Sequence, residues 1–283
     1  MELTRQEIES AAADVVARAL SEDIGLGDLT SRALFGPEEC CRASVLLKEQ
    51  GVVCGLAVAR AAFRRLDESM EFEPLLEDGA LVGEAPREIA RLSGHTRAIL
   101  GAERVALNLL GRLSGIATLT RAFVAAVEGT GVAILDTRKT TPGLRALEKY
   151  AVQVGGGVNH RLGLYDAVLV KDNHLRLAGG VEEAIRRLRG SLRLPLEVEA
   201  ETLEQVDQAL ELGVERILLD NMSPSEAATA VKFVAARAQL EVSGGVTLEN
   251  VRAYAETGVN AISVGALTHS ARSLDISLEV LEA

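Results

Sequence analysis

Residues 195–221, PLEVEAETLEQVDQALELGVERILLDN, read as one strand, one helix and a second strand. PLEVEAE alternates apolar and acidic residues at the period of a strand, TLEQVDQALELG is helix-like, and RILLDN is a short apolar run closed by polar residues. The same texture recurs on both sides. VAILD (132–136), DAVLVKD (166–172), LEVSGG (240–245) and NAISVGA (260–266) are further apolar runs, mostly separated by helix-like segments such as VEEAIRRLR and SPSEAATAVKFVAARA. Strands alternating with helices imply right-handed βαβ units around a parallel sheet. The first of them is followed by no G-x-G-x-x-G fingerprint, which favours an incomplete TIM-like (βα) barrel of six or seven strands over a doubly wound open sheet.

Upstream the pattern is different. Thr4 and Glu7 form a capping-box pattern opening a helix to about Leu20, with Ile8, Ala12, Val15, Val16 and Ala19 on one face. EDIGLGDLTS (22–31) reads as a glycine-punctuated loop, 43–47 and 51–55 as short strands, 57–66 as a helix, and 72–82 and 88–100 as strands interrupted by Pro86. A long helical stretch over 103–128 contains Gly111 and Gly115, which are expected to break or kink it. This divides the chain into an N-terminal α+β domain (1–112) and a βα-barrel catalytic domain (113–267). The alternating tail within 268–283 is expected to rejoin the first domain.

The 283 residues carry a formal charge of -11, which argues against binding nucleic acid through a broad basic face. MELTRQEIES has no signal-peptide pattern, and no uninterrupted apolar run reaches the ~18–20 residues of a membrane span. Cys40, Cys41 and Cys54 lack paired metal spacing and are expected to be reduced, small buried residues of a cytoplasmic protein.

Cations gather in 136–175, where Arg138, Lys139, Arg145, Lys149, Arg161 and Lys171 accompany His160, His174 and three successive glycines. Only five lysines occur in the chain, and three fall in this segment. Working residues of βα-barrels stand at the carboxyl ends of the strands. Those ends carry Thr137-Arg138-Lys139, Lys171-Asp172, Glu199 and Glu201, Asp220-Asn221, Ser243-Gly244-Gly245 and Gly265-Ala266. Glycine-rich loops after the last two strands suit a phosphate, because backbone N–H groups converge there. Glu197, Glu199 and Glu201 share one strand face and are expected to point inward, toward cations or a metal. His95 and His269 have no such setting and read as structural or surface residues.

DTRKTTPG, GGGVNHR, VKDNHL, EVE, LLDN, SGGVTLEN and VGALTHSARSLDISL, with EDIGLGDLTS and ERVALNLLGRLSGIAT, together resemble the quinolinate phosphoribosyltransferase family over nearly the whole chain. The resemblance implies a type II phosphoribosyltransferase fold and a homodimer in which Arg104 enters the partner's site. It implies that Arg104, Thr137, Arg138, His160, Arg161 and Lys171 bind quinolinate. Lys139, Glu199, Asp220, Ser243, Gly244, Gly245, Gly265 and Ala266 would meet phosphoribosyl pyrophosphate. Lys139, Lys171, Glu199 and Asp220 are the implied catalytic set. Mg²⁺ is the implied cofactor, held mainly through substrate and through Glu199 and Asp220. Two alternatives share this inventory: a paralogue encoded with molybdate-transport genes, and a barrel aldolase using Lys139 or Lys171 as a Schiff base.

Overall fold

The computed structural model describes residues 3–192 and 194–282. The chain divides into two compact units, one holding residues up to Arg121 with 140–156 and the segment from 267 onward, the other holding 122–139 and 157–266.

In the first unit, α1 (Arg5–Ile24) opens with the capping box: Thr4 accepts from Glu7 N–H, and Glu7 returns to the Thr4 backbone. It buries Ala12, Val15, Val16 and Leu20. The expected loop at 22–31 is shorter than its glycines suggest. Asp28 caps a second helix, α2 (Leu29–Leu34), by accepting from Thr30 and Ser31 N–H. Then follow β1 (Cys40–Leu47), β2 (Gly51–Val52), α3 (Leu56–Leu66), β3 (Glu71–Pro74), β4 (Leu81–Val82) and β5 (Arg87–His95). The strand expected over 88–100 stops at His95, and residues from Thr96 onward are helical. The tail strand, β12 (Ile276–Glu282), pairs antiparallel with β1, giving a sheet of order β12-β1-β5-β3. Of the cysteines, Cys41 and Cys54 are buried as expected, but Cys40 is exposed.

Helix α4 runs without interruption from Thr96 to Ala126, correcting the expected break. Gly111 and Gly115 serve close approach instead. A Cβ on Gly111 would stand 2.7 Å from the Leu274 carbonyl oxygen, and one on Gly115 would overlap the Arg272 carbonyl oxygen. The tail therefore lies directly on the helix backbone, with Leu274 N–H donating to Gly111 O at 3.0 Å. This helix is long and apolar enough to cross a membrane by length and composition. Burial of Ala102, Ala106, Leu110, Leu113, Ile116 and Ala117 marks it as a core helix. On α5 (Arg145–Val154), the buried Glu148 accepts from Arg112 Nη2 at 2.8 Å and from Thr141 N–H at 3.0 Å. Arg145 donates to Thr140 Oγ1 at 3.0 Å, and Lys149 is wholly buried on the same helix.

The second unit is built on β6 (Ala133–Leu135), β7 (Val168–Val170), β8 (Leu196–Ala200), β9 (Arg216–Asp220), β10 (Gln239–Ser243) and β11 (Ala261–Ser263). All six apolar runs read from the sequence are strands, paired parallel in the order β6-β11-β10-β9-β8-β7. The first strand bonds the last, so the order is that of a barrel opened between its first and second strands. At that seam Val158 makes one parallel bridge to Leu135. Helices α6 (Asp172–Ala178), α7 (Val181–Ser191), α8 (Leu203–Glu211), α9 (Pro224–Val234) and α10 (Val251–Ala255) fill the connections. Every residue of β8 is buried, as expected for a strand covered by helices on one face and by neighbouring side chains on the other.

Candidate active site

The carboxyl ends of these strands bring two groups of side chains together. The first surrounds Arg161. Asp136, fully buried just beyond β6, accepts from Asn159 Nδ2 at 2.7 Å and from His160 N–H at 2.9 Å, which ties the 157–161 segment to the strand end. Arg161 is buried, and its Nη1 donates to Ala167 O at 3.4 Å. Burial first, and Arg138 second, act against the positive charge of Arg161, while Glu197 and Asp166 favour it. Two guanidinium groups whose charges oppose one another suit an anion that both can grip, since each presents a planar fork matched to a carboxylate.

The second group lies across β7, β8 and β9. Lys171 Nζ stands 3.2 Å from Glu199 Oε2, with Glu199 nearly buried and Lys171 half-exposed. Burial and the nearby Glu199 raise the Asp220 carboxyl above its ordinary range, Lys171 and Lys139 pull it down, and Glu201 adds to the rise. A carboxyl whose ionisation is opposed by neighbouring acids suits a cationic ligand, either a divalent ion or a sugar carbon acquiring positive charge. Lys139 is exposed, with its N–H donating to Thr137 Oγ1 at 3.0 Å.

Glu201 departs from expectation. The strand ends at Ala200, so only Glu197 and Glu199 face inward; Glu201 is exposed, and its backbone N–H donates to Gln205 Oε1 at 2.6 Å. The half-exposed, ion-paired Lys171 also differs from the desolvated lysine that Schiff-base chemistry needs.

The loops after β9 and β10 interlock. Asn221 adopts φ 55°, and its N–H donates to Ser243 O at 2.8 Å. Gly244 has φ 94°, and a Cβ there would overlap the Asn221 amide. Ser243, Gly244 and Gly245 are thereby held beside Asp220-Asn221, while Gly265 and Ala266 follow β11 and are half-exposed. Arg104 stands in the other unit, on α4, with a side chain 64% exposed and Nη2 3.7 Å from Glu103.

Some residues at this site escaped the sequence reading. Glu241 and Ser263 occupy inward positions of β10 and β11, and Ser263 Oγ donates to Glu241 Oε1 at 2.5 Å. Their signal was present as a single acid in LEVSGG and a single serine in NAISVGA, each alternating with apolar neighbours. Asp136 and Asn159 lie within the quoted motifs, yet nothing local distinguishes a strand-end anchor from a ligand.

The sequence model of the quinolinate phosphoribosyl transferase N-terminal domain matches residues 28–114, and that of the C-terminal domain matches 116–279. A Bacillus subtilis protein named probable nicotinate-nucleotide pyrophosphorylase [carboxylating] is 46% identical over 261 residues, covering 92% of this chain and 90% of its own. The Mycobacterium leprae nicotinate-nucleotide pyrophosphorylase [carboxylating] is 46% identical over 277 residues, covering 95% and 97%. The crystal structure of NadC from Streptococcus pyogenes superposes with a TM-score of 0.91 at 38% identity, covering 100% of both chains. By domain content, sequence and fold, the chain belongs to the quinolinate phosphoribosyltransferase family.

Proposed function

We propose that the protein transfers the phosphoribosyl group of phosphoribosyl pyrophosphate to quinolinate with loss of carbon dioxide, forming nicotinate mononucleotide and pyrophosphate, a step of NAD biosynthesis. It is thus a pentosyltransferase. The observation that carries this reading is the pairing of a two-arginine anion site with a separate lysine–carboxylate group at adjoining strand ends.

Arg138, Arg161, Thr137 and Lys171 receive the two carboxylates of quinolinate and orient its ring nitrogen toward the sugar, while His160, whose Nδ1 accepts from Arg161 N–H and whose Nε2 faces Glu197, supports Arg161. Glu199 and Asp220 face the phosphoribosyl group, and Lys139 faces the departing pyrophosphate. The 243–245 loop with Gly265 and Ala266 takes the 5-phosphate through backbone N–H groups. Glu199 and Asp220 would hold Mg²⁺, which would supply positive charge to offset that of the pyrophosphate.

As the bond from the sugar carbon to pyrophosphate breaks, positive charge develops at that carbon, and the inward carboxylates stabilise it more than they stabilise the ground state. The quinolinate nitrogen forms the new bond. The resulting pyridinium withdraws electrons from the adjacent ring carbon, so the bond to its carboxylate breaks, carbon dioxide leaves with the electron pair retained on the ring, and that carbon takes up a proton. The product needs no redox cofactor. Arg104 belongs to this scheme as a residue supplied by the partner of a homodimer to the other subunit's quinolinate site.

Incubation with quinolinate, phosphoribosyl pyrophosphate and Mg²⁺ tests the reading: nicotinate mononucleotide and carbon dioxide should appear in equal amounts. No product, or equal use of nicotinate, would refute it.

A further inference from the structure

The chemistry above leaves unused a second acidic group deeper in the parallel sheet. His160 Nε2 lies 3.3 Å from Glu197 Oε2 and 3.6 Å from Glu241 Oε1. The three atoms fall within 4.8 Å of one another, a spacing compatible with a metal shell. Hydrogen bonding of the imidazole decides otherwise. Nδ1 accepts from Arg161 N–H at 2.8 Å, which places the proton of the neutral ring on Nε2. A metal ion requires the lone pair of that nitrogen. Nε2–H is instead presented to two carboxylates.

Two ionised carboxylates buried so close together repel each other, and little solvent is present to screen them. Glu241 is wholly buried. It faces His160 from the segment after α5, Glu197 from β8, Arg216 from β9 with Nη1 3.8 Å from Oε2, and Ser263 from β11. Ser263 Oγ also lies 3.4 Å from the carbonyl oxygen of Asp136. Burial first, and Glu197 next, push the Glu241 carboxyl up to about 7, against the opposing pull of His160, Ser263 and Arg216. Glu197 in turn favours the charge on Arg161.

We infer that Glu241 is a positioning residue for dicarboxylate capture: as an uncharged acid it holds His160 against Glu197 and leaves one negative charge beside Arg161, and its ionisation weakens substrate binding. The inference rests on the quinolinate reading. It assigns Glu241 no contact with substrate. A second buried negative charge would compete with the dianion for the field of Arg161 and Arg138. At an effective dielectric of ~20 and a separation of ~10 Å, one unit charge changes affinity by about tenfold.

The test is calorimetric titration of the full-length protein with quinolinate between pH 6 and 8.5, for wild type and Glu241→Gln. Both carboxyl groups of quinolinate stay ionised over this range. Wild type should lose about tenfold in affinity as pH rises through about 7, whereas Glu241→Gln should keep the low-pH affinity throughout. Parallel profiles would overturn the inference while leaving the quinolinate reading intact. No binding to wild type at any pH would overturn both. Should the variant fail to fold, carbon-13 spectra of glutamate-labelled wild type decide the matter. A carboxyl titrating near 7 supports the inference, and its absence overturns it.

Discussion

Lys171 Nζ and Glu199 Oε2, 3.2 Å apart, join the carboxyl ends of β7 and β8, and both act on the neighbouring Asp220 carboxyl. Glu199 is nearly buried, and Lys171 is its ion-pair partner. Replacing Lys171 with alanine should lower kcat/KM by about 10²–10³, the loss typical when one preorganised charge is removed. Steady-state kinetics with both substrates would check this, and an unchanged kcat/KM would show the pair to be only structural.

Lys139 and Arg161 should separate by kinetic parameter. Lys139→Ala is expected to lower kcat, because in the proposed function the side chain meets charge that develops on the leaving group. Arg161→Ala should chiefly raise the KM for quinolinate, by about 10–100-fold for the loss of a charge-assisted carboxylate contact. The reverse pattern would exchange their roles.

Glu241 makes stability depend on pH with a definite sign. Its folded carboxyl titrates at about 7 against an ordinary value of 4.5, so the native state binds more protons than the unfolded chain between those values. Stability therefore falls as pH rises from about 4.5 to about 7 and stays lowered above it. The full penalty is roughly 3 kcal/mol, from 1.36 kcal/mol per pKa unit. Glu241→Gln should match wild type in Tm near pH 5 and exceed it at pH 8. A gap that is constant with pH would contradict this origin.

Gly115→Ala tests the contact between tail and helix. Alanine normally favours a helix interior by about 1 kcal/mol over glycine. Here the added methyl would meet the backbone of Arg272, which cannot swing aside as a side chain can. Overpacking should prevail, with a net loss of about 1–3 kcal/mol in denaturant unfolding. A stabilised variant would show that the tail moves freely off α4.

Mixing inactive Arg104→Ala with inactive Lys171→Ala should restore part of the activity if the sites are shared between subunits. Rescue would come from mixed dimers holding one site with both residues intact. Failure despite verified subunit exchange would count against the shared site.

Much of this protein follows from its sequence alone. Six short runs, each ending in polar or glycine residues, were sufficient for six parallel strands, because a strand covered by helices keeps at least one apolar face whatever its neighbours. Strand ends read from the sequence also put Lys171, Glu199 and Asp220 at the carboxyl ends of β7, β8 and β9, where the structure has them close together. What the tertiary structure decided depends on contacts between distant residues. Gly111 and Gly115 read as helix breakers until Arg272 and Leu274 are seen lying against them. Glu201 continues the acidic alternation of β8 but falls outside the strand. Glu241 is an ordinary strand glutamate in sequence, and only the approach of His160 and Glu197 from other segments turns it into a buried acid. Local periodicity records which side of a strand a residue faces, whereas charge state and close approach are set by what stands opposite.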